Sequence, residues 1–265
     1  VALTSGTRLE GPESEEPTAT LRSALVYPAT EGFHPTRMLE AMAASDIEIR
    51  DLILDGNRHA HTVEAWDYPE TDNLARFEQI DGLSFERVHV TGWEANWGIE
   101  DQSYAHATAI VSSSNIYWAD VTFTDSRTEG LLFQDCEDVT IERLSTENTD
   151  VWTPLNVFYA TGFSLTDSTI VEDDGIEWTG STVNLTVSDA TVSGNTFIGG
   201  WGIDFGDETG TTPYNPTDIT VEDNTIEVAG IGIYFSPYVE DDFVSDVVIR
   251  SNTITLHRGE DASQT

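Results

Sequence analysis

Four apolar positions at offsets 0, +2, +5 and +7 recur along this chain, and that spacing constrains its fold more than any other feature. They are Ile47/Ile49/Leu52/Leu54, then Leu83/Phe85/Val88/Val90, then Ile116/Trp118/Val121/Phe123. Val139, Ile141 and Leu144 continue the series, with Thr146 as a polar last member. Weaker copies follow at Phe163/Leu165/Ile170, Leu185/Val187/Val192, Ile219/Val221/Ile226 and Val247/Ile249/Ile254. Alternation at period two marks a strand, and the extra residue between the second and third positions marks a bend at a fixed place. The starts at 116, 139, 163 and 185 differ by 23, 24 and 22 residues. A repeat of that length is a solenoid unit, which buries its apolar face only against its neighbours.

Each compact unit carries a third apolar stretch: Leu131/Phe133, Val157/Tyr159, Ile176/Trp178, Ile203/Phe205 and Ile233/Phe235. Two strands meeting at a bend, plus a third, make one three-sided coil. Stacked coils set like strands side by side and parallel, about 4.8 Å apart. The absence of 3.6 periodicity and the wealth of Val, Ile, Thr and aromatics exclude helical repeats. The expected fold is all-β, a right-handed parallel β-helix of at least eight coils. Residues 1–265 form one domain: an entry coil at 1–46, regular coils at 47–258 and a tail at 259–265, within a longer polypeptide. One short helix is expected in 34–46, where Met38, Leu39 and Met42 share a helical face and Pro35 suits a first turn. Ser168, Asn224 and Asn252 replace apolar residues at the third ladder position, where inward amides and hydroxyls can bond the next coil's backbone.

Eleven basic residues, all of them arginine, stand against 48 acidic ones and give a net charge of −37. So much like charge strains a compact fold by self-repulsion in dilute buffer. Multimolar salt shortens the Debye length to about 3 Å or less and removes that strain. The acids are spread through every coil rather than clustered at calcium-loop spacing, so they imply adaptation to concentrated salt, in a halophile or a virus of one. The same charge argues against nucleic acid and anionic membranes as partners, and no run is long enough to insert into a bilayer. Cys136 alone forms no internal disulfide, and Asn184-Leu185-Thr186 is the one glycosylation sequon. Scattered histidines and a lone cysteine lack zinc-ligand spacing. No cofactor is called for. Calcium alone is admitted, at Glu172/Asp173/Asp174 or Glu240/Asp241/Asp242, because hard cations want clustered oxygens. His89, between Val88 and Val90, is expected on the surface.

Counting eleven residues from each first ladder position gives Arg58, Glu94, Arg127, Asp150 and Asp174. Superimposed coils would line these charges along one turn with Cα atoms about 5 Å apart. Adjacent carboxylates push their pKa values apart, which suits one to act as acid and the other as base. The longer coils carry their extra residues at this turn, 58–73 and 94–106, bringing His59 and Trp97 beside Trp93 and His106. Together with Trp152, Trp178 and Trp201 they would wall an elongated cleft, rings stacking on pyranose faces while Arg58 and Glu94 bond the sugar. In a chain this acidic, solvated turn carboxylates account for the same pattern, and both accounts stand.

The segments "LTSGTRLEG" and "IEIRDLILDGN" resemble the first two coils of the pectate lyase and polygalacturonase superfamily. Asn148-Thr149-Asp150 is similar to the polygalacturonase Asn-Thr-Asp, and Asp173-Asp174-Gly175 to its paired aspartates. Gly200-Trp201-Gly202 falls where Gly-His-Gly is expected, with tryptophan in place of histidine, and the Arg-x-Lys element has no counterpart in a lysine-free chain. The resemblance implies Asp174 as general acid with Asp150 and Asp173 activating water. For a lyase it implies Arg127 as base beside Asp150, with calcium or another positive group neutralising the uronate. Two functions follow as expectations. One is an extracellular hydrolase or lyase acting on an acidic polysaccharide. The other is a non-catalytic virion spike, turret or surface adhesin that binds a host glycan and assembles as a homo-oligomer, a trimer if a spike.

Overall fold

Strand pairing in this molecule is parallel throughout, and each ladder residue stands opposite its counterpart in the next coil. The structure is a computed structural model. It describes residues 1–12, 17–22, 37–57, 74–93, 106–125, 127–147, 150–172, 181–206, 216–236 and 244–257, with backbone alone for 127–129, 150–152 and 236.

Among the described residues twenty strands wrap as one continuous parallel sheet with three faces, the first, second and third sheets. One column of the first sheet runs Leu9, Ile49, Phe85, Trp118, Ile141, Leu165, Val192, Val221, Ile249. The second sheet stacks Leu21, Leu54, Val90, Phe123, Thr146, Ile170, Phe197, Ile226, Ile254. The third stacks Leu39, Ala75, Thr108, Leu131, Leu155, Val183, Ile203, Ile233. These inward columns meet in one core. Phe85 stacks on Trp118 at 4.0 Å between ring centroids, and Phe205 on Phe235 at 4.7 Å. Such pairs add about 0.5–1.5 kcal/mol to what burial of their area supplies. The coil is the parallel β-helix that the ladder implies.

The corners explain much of the composition. Turning a strand within one residue puts that residue in the left-handed region, which Asp, Asn and Gly tolerate best. Of the twenty described non-glycine residues with positive φ, eleven are aspartate, so part of the acidity is built into the bends. At the bend between the first and second sheets, Asp51, Arg87, Asp120 and Arg143 follow one another coil by coil. Arg87 donates to Asp51 at 2.7 and 2.9 Å, and Arg143 to Asp120 at 2.6 and 3.0 Å. An alternating charge column therefore exists, at a corner other than the one the eleven-residue count suggests.

Beside it runs an amide ladder inside the bend. Asn195 Nδ2 donates to Leu165 O and to Asn224 Oδ1, and Asn224 Nδ2 to Val192 O and Asn252 Oδ1. Ser168 N donates to Asn195 Oδ1 at 2.9 Å. The expected role of Ser168, Asn224 and Asn252 holds, with Asn195 as a fourth member.

Two expectations need correction. Residues 39–55 form a strand, Leu39–Asp55, so the short helix is absent: Leu39 and Ala41 are buried while Met42 is 63 % exposed, which is period two. Leu185 is not a first ladder position. It pairs with Val157 in the third sheet, and Ala190, too small to stand out by hydrophobicity, opposes Phe163 in the first. The sequon is unusable in the folded chain, because Asn184 is fully buried. Among the described residues there is no helix to cross a membrane.

Candidate functional site

The third sheet carries, beside its inward columns, a row of residues that faces away from the core and is nonetheless buried along much of its length. Between its inward residues sits one outward residue per strand, and these fall in register as Glu40, Arg76, Ala109, Leu132, Asn156, Asn184, Asp204 and Tyr234. Seven inter-strand steps make this column roughly 34 Å long. Its character changes along its length. Charged side chains open it, Ala109 and Leu132 continue it, three polar side chains form its centre, and Tyr234 ends the described part.

The centre is polar and closed. Asn156, Asn184 and Asp204 are 2 %, 0 % and 5 % exposed. His106, itself buried, reaches across the intervening strand to place Nε2 3.1 Å from Asn156 Nδ2. Asn184 has no hydrogen-bond partner among the described residues for either Oδ1 or Nδ2. A wholly buried amide left so destabilises a fold by about 1–3 kcal/mol. Neighbouring hydroxyls are satisfied: Thr182 Oγ1 donates to Gly202 O at 2.7 Å and Thr186 Oγ1 to Gly206 O at 2.6 Å.

At the corner that leads into this sheet, Glu172 accepts from Gly200 N at 2.9 Å and so fixes the turn before Trp201. Trp201 meets Tyr234 edge-to-face at 6.2 Å. A side chain at Gly230 would lie 2.5 Å from Trp201 Cδ1, so glycine makes room for the indole. At the opposite end, an open cleft of about 350 Å³ is lined by Leu3, Arg37, Glu40, Met42, Arg76 and Glu78.

Several expected site residues can be located. Asp150 and Arg127 are opposite each other in register at the leading edge of the third sheet. Trp152 lies at the register shift just after them, and its side chain, like theirs, is not described. Trp201 borders the outward face. Trp93 does not: it is 2 % exposed and packed in the core, so its ring face meets apolar neighbours and is closed to a sugar. Arg58, His59, Glu94, Trp97, Asp173, Asp174 and Trp178 lie outside the described residues, as do Glu240, Asp241 and Asp242. Among the described residues no group of three His, Cys, Asp or Glu could hold a metal ion. His89 is half-buried on the second sheet, 2.7 Å from Thr124 Oγ1, and burial lowers its pKa against the pull of Asp55 and Glu147.

The sequence carries a signal for the polar part of this column. In Leu-Asn-Val, Val-Asn-Leu and Ile-Asp-Phe, at 155–157, 183–185 and 203–205, a polar residue sits between two inward ones. Outward alternation was the signal.

Residues 107–260 match the family model described as right handed beta helix region. No curated protein sequence matches the chain. Among solved structures it is similar to PfbA, a surface adhesin of Streptococcus pneumoniae, at 13 % identity and a TM-score of 0.51, over 96 % of this chain and 81 % of that one. It is also similar to the A-module of the mannuronan C-5 epimerase AlgE6 of Azotobacter vinelandii, at 14 % identity and a TM-score of 0.40, over 94 % and 85 %. An exopolygalacturonase of Thermotoga maritima shares 12 % identity at a TM-score of 0.30, over 94 % and 81 %. At such identities the likeness is one of fold alone.

Proposed function

Because the chain belongs to the right handed beta helix family, we propose that it is an extracellular or virion-surface protein that engages an extended polysaccharide along the outward face of its third sheet. The observation that carries this reading is the rim of that face, where Arg127 and Asp150 stand in register at its leading edge and Trp201 meets the exposed ring of Tyr234, while Asn156, Asn184 and Asp204 between them are buried and lie beneath the contact rather than in it. A linear glycan is the polymer whose repeat suits a rigid parallel lattice, and aromatic edges recognise sugar rings. The net charge of −37 and the absence of lysine support operation in concentrated salt, as in a halophile or its virus.

Binding without cleavage is the leading form of the proposal. Cleavage is the second reading, favoured by the register of Arg127 with Asp150 at the rim of the same face. Titrating the purified protein with linear hexasaccharides in multimolar NaCl tests the first; saturable binding is expected, and none across neutral and acidic glycans overturns it. Product analysis under the same conditions tests the second. Asp150→Asn abolishes turnover if cleavage is real and leaves binding intact if it is not.

A further inference from the structure

The cleft at the first strands of the third sheet brings arginine and glutamate together in equal number around an opening. Two of the eleven arginines line it, with side chains only 21 % and 11 % exposed. Each is joined by a glutamate: Arg37 Nη1 lies 3.3 Å from Glu40, and Arg76 Nε 3.5 Å from Glu78. Glu40 and Arg76 are register partners on adjacent strands, as are Met42 and Glu78. Guanidinium forks and carboxylates thus alternate across the opening, with Leu3 and Met42 beside them. The formal charges of these four residues cancel.

We propose that this cleft is the end subsite of the glycan face and takes a neutral pyranose, a proposal that rests on the glycan-binding reading. Every sugar hydroxyl both donates and accepts. Arg offers donors in a rigid plane and Glu offers acceptors, so an alternating pair satisfies a vicinal diol without net charge. The Met42 thioether, 63 % exposed, and Leu3 supply an adaptable apolar wall for the C–H face of the ring. The volume, about 350 Å³, falls at the small end of ligand pockets.

Charge argues against a uronate here. In dilute buffer the field of a −37 chain repels polyanions, and the paired arginines leave no surplus positive charge to offset it. In multimolar salt that field is screened, but so is any attraction a carboxylate would feel. Hydroxyl recognition survives both conditions.

The test titrates the full chain with a neutral mannohexaose or glucohexaose and with hexagalacturonate, in low and in multimolar NaCl, by calorimetry. A neutral hexasaccharide is expected to bind with an affinity that changes less than about twofold with salt. Arg76→Gln and Glu40→Gln are each expected to weaken it about tenfold or more, the size of a lost bond to a charged group. Met42→Ala, at an exposed position that leaves the fold untouched, is expected to weaken it severalfold. Unchanged affinity in all three variants overturns the subsite while the wider face stands. Tighter, salt-sensitive binding of hexagalacturonate overturns the ligand class. Binding of neither sugar overturns the glycan reading itself.

Discussion

Two sets of asparagines in this solenoid do opposite things with the same side chain. At the bend between the first and second sheets, Asn195 and Asn224 spend both amide atoms on the coils beside them. On the outward face of the third sheet, Asn184 is as deeply buried and has no partner among the described residues for either atom. The bend ladder occupies this corner from Ser168 onward, while Leu52, Val88, Val121 and Leu144 fill the same place in the earlier coils. The outward column varies as well: Leu132, Asn156, Asn184 and Asp204 put three residue types at four equivalent places.

The contrast breaks most visibly at the ladder. Asn224→Ala removes four side-chain hydrogen bonds and strands the Asn195 amide and Val192 carbonyl in the core, for an expected loss of about 4 kcal/mol in denaturant unfolding. Asn184→Leu should move the other way, raising stability by about 1–2 kcal/mol, because a buried amide without partners disappears. A destabilised Asn184→Leu protein would mean that the amide is structural after all.

Smaller effects sharpen the picture of the bends. Arg143 hydrogen-bonds hold the Asp120 carboxyl below its ordinary pKa. A folded value lower than the unfolded one contributes stability above the ordinary carboxylate pKa and loses it as pH falls through the folded value. Both side chains are nearly half exposed, so the contribution is a few tenths of a kcal/mol, seen as a slightly flatter acid limb in Asp120→Asn. Cys136, whose Sγ bonds the Gln134 carbonyl at 3.3 Å, has its thiol pushed up to about 11 by burial. Iodoacetamide at pH 8 should leave it unmodified in the native protein and label it fully once denatured.

Sequence carried the architecture because inward residues obey a local rule. Ile47 to Leu54 and Leu83 to Val90 needed no knowledge of the other coils, and both strands lie where the ladder puts them. The rule weakened where a small residue took a ladder place. Ala190 looked polar enough to miss and Leu185 apolar enough to replace it, which shifted one coil by five residues. The helix expected around Met38 and Met42 failed for a related reason: a short stretch fits periods of two and 3.6 alike, and pairing with Ala75–Thr91 decided for the strand. Trp93 was assigned to a groove on ring chemistry alone, while its ring sits in the core. Outward positions are governed by cross-coil register, so the rows through Asn156 and Asn184 emerge only after the wraps are aligned. The leading-edge register of Arg127 with Asp150 agrees with the eleven-residue count, whereas Asp173 and Asp174 lie outside the described residues.

The left-handed corners divide the acids into two populations that are not interchangeable. Aspartate at Asp46, Asp51, Asp120 or Asp223 holds a φ near +55°, which its short side chain can relieve by bonding locally. Glutamate keeps the charge and loses that relief, at about 1 kcal/mol or more for each corner. A charge-conserving exchange is therefore not a shape-conserving one. The molecule can shed glutamates from its strand faces to suit a fresher medium at less cost than the aspartates that turn its chain.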